Sequence, residues 1–310
     1  MSNFDDFLKS YISAQEVKTI SIENGCNLFI NDLTKTRRPS SISYYKDHLK
    51  PFKEFSNSRG IDYFNQVNNN FITLYIQKLK YMGNENQTIN KRLSLVKMVM
   101  TYLYTNGYIS SFELIFPKLE VHQKEIQTIS DNQIKELLTY SKNRLDDKRY
   151  LIVILLISTG IRRNELVNIL AKNIDFDNSR IFLEYTKNKK YRYIWFDNDT
   201  KCIIKRILAK NSQKTYLFEN KLGLQMSPSY VTQLLFFLKK ELNFSVLSPH
   251  KLRHTYATYL LKNGANQEEV RRLLGHSDFK MTKRYIDYID TDLQKANYKY
   301  NPLNLMVEKG

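Results

Sequence analysis

The 310-residue sequence predicts a mainly α-helical chain with one small antiparallel β-sheet, divided into two domains. Three observations lead there. From about residue 20 to 118 the apolar positions recur at helical spacing. One later stretch, Arg180 to Phe196, places β-branched and aromatic residues on both sides of a short polar turn. Between the two, Pro117 to Ile129 (PKLEVHQKEIQTI) has no apolar period and contains a proline, as a linker does. The expected layout is an extension over 1–20, a helical domain over 21–118, a linker over 119–129, a second domain over 130–290 and a tail over 291–310.

Taken in order, residues 4–17 can form a short amphipathic helix through Phe4, Phe7, Leu8, Tyr11 and Ile12. Four helices are expected next, over 21–34, 41–57, 70–82 and 88–105. The second gathers Tyr45, Leu49, Phe52 and Phe55, and the third Ile72, Tyr75, Ile76 and Leu79. The fourth gathers Ile89, Leu93, Val96, Met100 and Leu103, with Thr88 as its cap and Asn106-Gly107 as its stop. In the second domain, Ser130 and Gln133 have the spacing of a capping box. Leu151 to Ile157 (LIVILLI) is apolar all round, so it reads as a buried helix ended by Thr159-Gly160. A further helix starts at Arg163 and buries Leu166, Ile169 and Leu170. Strands follow over 180–186 and 191–196, with a third over Ile174 to Phe176 through the turn Asp177-Asn178-Ser179. Helices are expected over 200–210 and 228–242. Ser248 caps another, with Pro249 at its first position and an apolar stripe of Leu252, Tyr256, Tyr259 and Leu260. Asn266 and Glu269 open a last one, which Gly275 ends; Lys283, Arg284 and Tyr285 lie on the next helical segment.

The formal net charge of +17 points to a polyanionic partner, nucleic acid before membrane. The charge is uneven: residues 1–125 hold 16 Lys/Arg against 12 Asp/Glu, and residues 126–310 hold 32 against 19. Two distant cysteines, Cys26 and Cys202, with no CxxC or HxxxH spacing, argue against a structural zinc site and for a reduced, cytosolic protein. The acidic N-terminus has no signal-peptide core, and Leu151 to Ile157 is far too short to span a bilayer.

Two features inside Leu247 to Tyr285 carry chemistry. His250 and Arg253 stand three residues apart just inside a helix start, so they share a face close to where free N–H groups attract phosphate. Leu274-Gly275-His276 follows, and Tyr285 comes nine residues after that histidine. Upstream, Arg162 sits behind a glycine turn beside a buried helix end, with five donors suited to phosphate. The ordered set HxxR, LGH and Tyr, preceded by STGIRRNELVNI, resembles the tyrosine recombinase (phage integrase) family.

That resemblance implies a helical, SAM-like core-binding domain followed by a mixed α/β catalytic domain. The segments RPSSISYYKDHLKPFKEF and NKRLSLVKMVMTYLYTNGYI look like the former, with Lys91, Arg92 and Lys97 as candidate DNA contacts. STGIRRNELVNI looks like the family's first arginine box, which assigns the catalytic arginine to Arg162 rather than Arg163; Glu165 matches an acidic position that orients its neighbours. TKNKKYR is similar to the hairpin pattern G-K-G-x-K-x-R, matching Lys187 to the lysine that protonates the leaving 5′ oxygen, although Thr186 replaces the glycine. Lys189 and Lys190 are further DNA-contact candidates. By the same resemblance, Arg162 and Arg253 clamp the nonbridging oxygens, His250 and His276 donate hydrogen bonds or accept a proton, and Tyr285 is the nucleophile that joins the 3′ phosphate. Tyr288 is the rival nucleophile, and Ile286-Asp287 stands where the family often has Thr-His.

The expected function is a site-specific DNA recombinase of a mobile element, an integrase or transposon resolvase working through a 3′-phosphotyrosyl intermediate and a Holliday junction. No cofactor or metal is expected. The implied partners are double-stranded DNA with inverted-repeat core sites, three further copies of the chain in a homotetramer, and accessory proteins; the implied location is the prokaryotic cytoplasm, at the nucleoid. The alternatives are a Xer-type resolvase of chromosome dimers and a DNA-binding protein with a dead site.

Overall fold

The computed structural model describes residues 19–110, 112–121, 127–184, 191–210 and 213–275. It forms two compact units that divide between Gln123 and Lys124.

The first unit is a helical bundle. Helices α1 (Ile22–Thr34), α2 (Pro39–Ser58), α3 (Asn69–Tyr81) and α4 (Asn86–Thr105) correspond to the four stretches of helical periodicity. Leu49, Phe52, Phe55, Ile72, Tyr75, Ile76, Leu79, Ile89, Leu93, Val96, Met100 and Leu103 are all buried, so the stripes of three helices meet in one core. Phe52 lies edge-on to Phe71 and Tyr75, with ring centroids 5.9 and 5.4 Å away, the offset geometry that aromatic quadrupoles favour. Two helix starts differ from expectation. Pro39 takes the first position of α2, where its missing N–H costs nothing. Helix α4 begins after Glu85, which leaves Thr88 inside the first turn rather than capping it.

Residues 113–120 lie along this unit, held by asparagine side chains. Asn90 donates to Leu119 O at 2.8 Å and accepts from Leu119 N at 2.9 Å. Asn69 accepts from Ile115 N at 2.8 Å, and Asn86 donates to Glu120 O at 2.8 Å. An extended segment cannot pair its own backbone groups, so these amides supply the partners.

The second unit surrounds α6 (Asp147–Thr159), whose Leu151, Ile152, Val153, Leu155 and Leu156 are fully buried. Around it pack α5 (Asp131–Arg144), α8 (Asn198–Ala209) and α10 (Pro249–Lys262). The capping box of α5 is present, with Gln133 N donating to Ser130 Oγ at 3.3 Å and Ser130 N to Gln133 Oε1 at 3.1 Å. Strands β1 (Ile174–Asp175), β2 (Arg180–Leu183) and β3 (Arg192–Trp195) form an antiparallel sheet in the order β1-β2-β3, with Ile181 opposite Ile194. Helix α7 (Arg163–Val167) is shorter than expected: Ile169 and Leu170 are buried but lie beyond its end. Helices α9 (Pro228–Glu241) and α11 (Gln267–Leu274) are the other α-helices of this unit among the described residues. The stripe of α10 also differs. Its buried residues are Leu252, Arg253, Thr255, Ala257 and Thr258, while Tyr259 is exposed. Among the described residues no helix is long and apolar enough to cross a membrane.

Candidate functional site

The site assembles where two helices end. Helix α6 stops at Gly160, which adopts φ +57°, and α11 stops at Gly275, with φ +64°. Both conformations favour glycine, and the surroundings also demand it. A Cβ on Gly160 would lie 2.6 Å from Tyr256 Cδ1 and 3.0 Å from Leu274 Cδ2. On Gly275 it would lie 2.9 Å from Arg192 Cδ. Each helix end leaves carbonyls without intrahelical donors and concentrates partial negative charge there, which favours cations.

Three arginines meet that need. Arg162 donates from Nη2 to Gly275 O at 3.0 Å. Arg253 donates to Gly160 O and Leu274 O, both at 2.6 Å. Arg192 donates from Nη1 to Leu273 O and from Nη2 to Glu165 Oε2, the latter at 2.7 Å. Three successive carbonyls at the end of α11, those of residues 273, 274 and 275, therefore each accept from a different arginine. Glu165 binds the group together. Its Oε1 accepts from Arg162 Nη1 at 2.7 Å, and its Oε2 accepts from the Arg162 backbone N at 3.2 Å as well as from Arg192. Its side chain is 2% exposed, against 19% for Arg162 and 8% for Arg192. Burial pushes the Glu165 carboxyl up, but Arg192 and Arg162 outweigh that and hold it below the usual carboxylate range.

His250 lies in the first turn of α10, behind the Ser248 cap, whose Oγ accepts from Lys251 N at 3.2 Å. Loss of water around the ring, followed by the charges of Arg253, Arg163 and Arg162, holds its imidazole below the usual value. Arg163 turns away to donate to Thr232 Oγ1 on α9 at 2.7 Å. Tyr256 lies near Arg192 and Arg253, and burial pushes its phenol up, so it stays protonated.

Arg162, His250 and Arg253 are thus brought together, with Glu165 beside them. Lys187, Lys189, Lys190, His276, Tyr285 and Tyr288 lie outside the described residues, although His276 directly follows Gly275. In the first unit, Lys91 and Lys97 are exposed on α4. Arg92 is differently placed: it is half-buried near Tyr75, with Nε and Nη1 withdrawn from solvent. Arg192 is the residue that sequence reasoning left without a role. Its signal was an inward-facing cation in an alternating strand, because Tyr193 and Trp195 point outward while Ile194 is buried.

Comparison with known proteins agrees with this architecture. Residues 127–291 match the model of the phage integrase family, and residues 26–107 match that of the phage integrase N-terminal SAM-like domain. The chain belongs to the phage integrase family: it is a tyrosine recombinase, an enzyme that breaks and rejoins DNA strands by transesterification. It is 27% identical over 293 residues to the tyrosine recombinase XerC of Bacillus pumilus, covering 89% of this chain and 95% of that one. It is 36% identical over 186 residues to the tyrosine recombinase XerA of Saccharolobus solfataricus, covering 59% and 60% of the two chains. Among solved structures, the Tn1549 transposon integrase in complex with a circular intermediate DNA shares the fold, with a TM-score of 0.68, 20% identity and coverage of 87% of this chain and 99% of that one.

Proposed function

We propose that this chain is a site-specific recombinase of a mobile element, cutting and rejoining DNA through a 3′-phosphotyrosyl intermediate with Tyr285 as the nucleophile. The observation that carries the reading is the meeting of Arg162 and Arg253 at the end of α11, beside His250 and one residue before His276. Both arginines are anchored by helix-end carbonyls, which fixes where their guanidinium forks present positive charge to an anion. A phosphodiester there has its nonbridging oxygens clamped as negative charge grows on them, and removing one such donor costs roughly 10²–10³-fold in other enzymes. A phenol has a pKa near about 10, so Tyr285 needs a proton acceptor at neutral pH. His250, held neutral, is suited to that role or to a hydrogen bond with the phosphate. Lys187 protonates the leaving 5′ oxygen. Attack by the 5′ hydroxyl of a partner strand on the phosphotyrosine reseals the DNA, and two such rounds in a homotetramer on inverted-repeat core sites pass through a Holliday junction.

A second reading, resolution of chromosome dimers, draws support from the XerC relative, which aligns over nearly its whole length. The altered hairpin at Thr186 and the tyrosine-rich sequence favour the mobile-element role. The test is a nicked DNA carrying the candidate crossover, incubated with the wild-type chain, Tyr285→Phe and Tyr288→Phe. An SDS-resistant, protease-sensitive adduct absent only from Tyr285→Phe supports the proposal; one absent only from Tyr288→Phe moves the nucleophile. Adduct formation on the ends of the element, rather than on a chromosomal dimer-resolution site, separates the two roles.

A further inference from the structure

Arg192 stands on β3, five residues after Lys187. Its guanidinium donates to Glu165 on α7 and to Leu273 O on α11, and its Cδ and Nε pack where a Cβ on Gly275 would fall, at 2.9 and 3.1 Å. The side chain is 8% exposed. One buried cation therefore joins three segments: the hairpin strand that leads back to Lys187, the helix that begins after Arg162, and the helix end that runs on to His276.

Packing alone does not ask for arginine here. A buried charge is costly unless it is paired and hydrogen-bonded, and an aliphatic chain would fill the same space. What arginine adds is a planar fork that reaches two acceptors in a set direction; a lysine ammonium is a point charge on a flexible stem. Both arginines give their terminal nitrogens to protein acceptors, but the Arg162 side chain is 19% exposed and that of Arg192 only 8%. The division of labour is legible in that contrast: one arginine faces the site and the other stands behind it.

We propose that Arg192 is a positioning residue, holding β3, Glu165 and the end of α11 in one register so that groups carried on the hairpin and after α11 meet the Arg162–Arg253 pair. The inference rests on the site proposed above. It assigns Arg192 no contact with DNA.

The test uses the full chain with Arg192→Lys and Arg192→Gln. Three quantities are measured: DNA affinity, the rate of adduct formation at saturating nicked DNA, and backbone amide exchange without DNA. Lysine keeps the charge beside Glu165 but reaches one acceptor at a time. Arg192→Lys is expected to bind DNA as wild type does while forming the adduct on the order of 10²-fold more slowly, the cost of about 1 Å of misplacement. Arg192→Gln, which lacks the charge, is expected to lose as much or more. In both, exchange should rise in the last turn of α11 and in β3, and stay unchanged in α1–α4. Wild-type adduct rates in Arg192→Lys, a loss of rate matched by an equal loss of DNA affinity, or unaltered exchange at the end of α11 would each overturn the proposal. Absence of an adduct with the wild-type chain, or its persistence in Tyr285→Phe, would instead strike the underlying site assignment. The exchange measurement needs neither DNA nor chemistry, and so decides the junction separately.

Discussion

Glu165→Gln removes one charge from the middle of the arginine cluster and leaves the shape unchanged. In the wild-type chain a 2%-exposed carboxylate receives Arg162 and Arg192, each at 2.7 Å, and the Arg162 backbone N at 3.2 Å. The glutamine amide offers one acceptor oxygen and turns an NH₂ toward the other guanidinium, donor against donor. Breaking a buried ion pair by removing one partner costs about 3–5 kcal/mol. The hydrogen bond that glutamine still accepts returns about 1 kcal/mol, so the net loss is about 2–4 kcal/mol. For a unit of 150–250 residues each kcal/mol lowers Tm by about 2–4 °C, which gives a fall of about 5–15 °C. The pH dependence follows from the direction of the shift. The Glu165 carboxyl is held below its usual range in the folded chain. Its contribution is therefore fully present above the unfolded value, about 4.3, and is lost as pH falls through the folded value. Calorimetry across that range should show the two proteins farthest apart near neutrality and converging in acid. A gap under about 2 °C at neutral pH, where about 5–15 °C is expected, would refute the reasoning. So would a gap of constant size at every pH.

Other consequences can be checked alongside. Gly160→Ala forces a β-carbon into a left-handed backbone position 2.6 Å from Tyr256, and should cost about 2–4 kcal/mol in urea unfolding; a loss below about 1 kcal/mol would show that Tyr256 yields freely. His250 should take up a proton when phosphate neutralises the surrounding arginines, since burial and Arg253, Arg163 and Arg162 hold it low in the free chain. Calorimetric DNA binding near about pH 6.5 in two buffers of different ionisation enthalpy would reveal that uptake, and His250→Gln should abolish it. Asn90→Ala strands both backbone groups of Leu119 and should cost about 1–3 kcal/mol, with faster proteolysis over 113–121 while α1–α4 stay protected; unchanged cleavage there would mean the asparagine does not hold the segment.

Much of the fold was legible because its determinants are local. The capping pairs Ser130–Gln133 and Asn266–Glu269 lie three residues apart, and the apolar stripes of α2, α3 and α4 repeat within each helix. Boundaries moved at two helix starts: Pro39, a competing local signal, opened α2, and α4 began at Asn86 without a side-chain cap, two residues ahead of Thr88. The stripe of α10 differs at Tyr259, whose ring is exposed while Thr255, Ala257 and Thr258 take the buried face.

The helical stripes, the sheet, the two turning glycines and the candidate residues Arg162, His250 and Arg253 follow from the order of residues along the chain. What the arginines touch follows from how the chain packs. Arg253 meets Gly160 across 93 residues, Arg162 meets Gly275 across 113, and Arg192 meets Leu273 across 81. No local pattern encodes such pairs. A motif names the arginines, but the acceptors are backbone carbonyls, which every residue carries alike. Those at the ends of α6 and α11 become binding partners only because both helices stop at glycines packed against the same cluster, where the final carbonyls have no helical donors of their own.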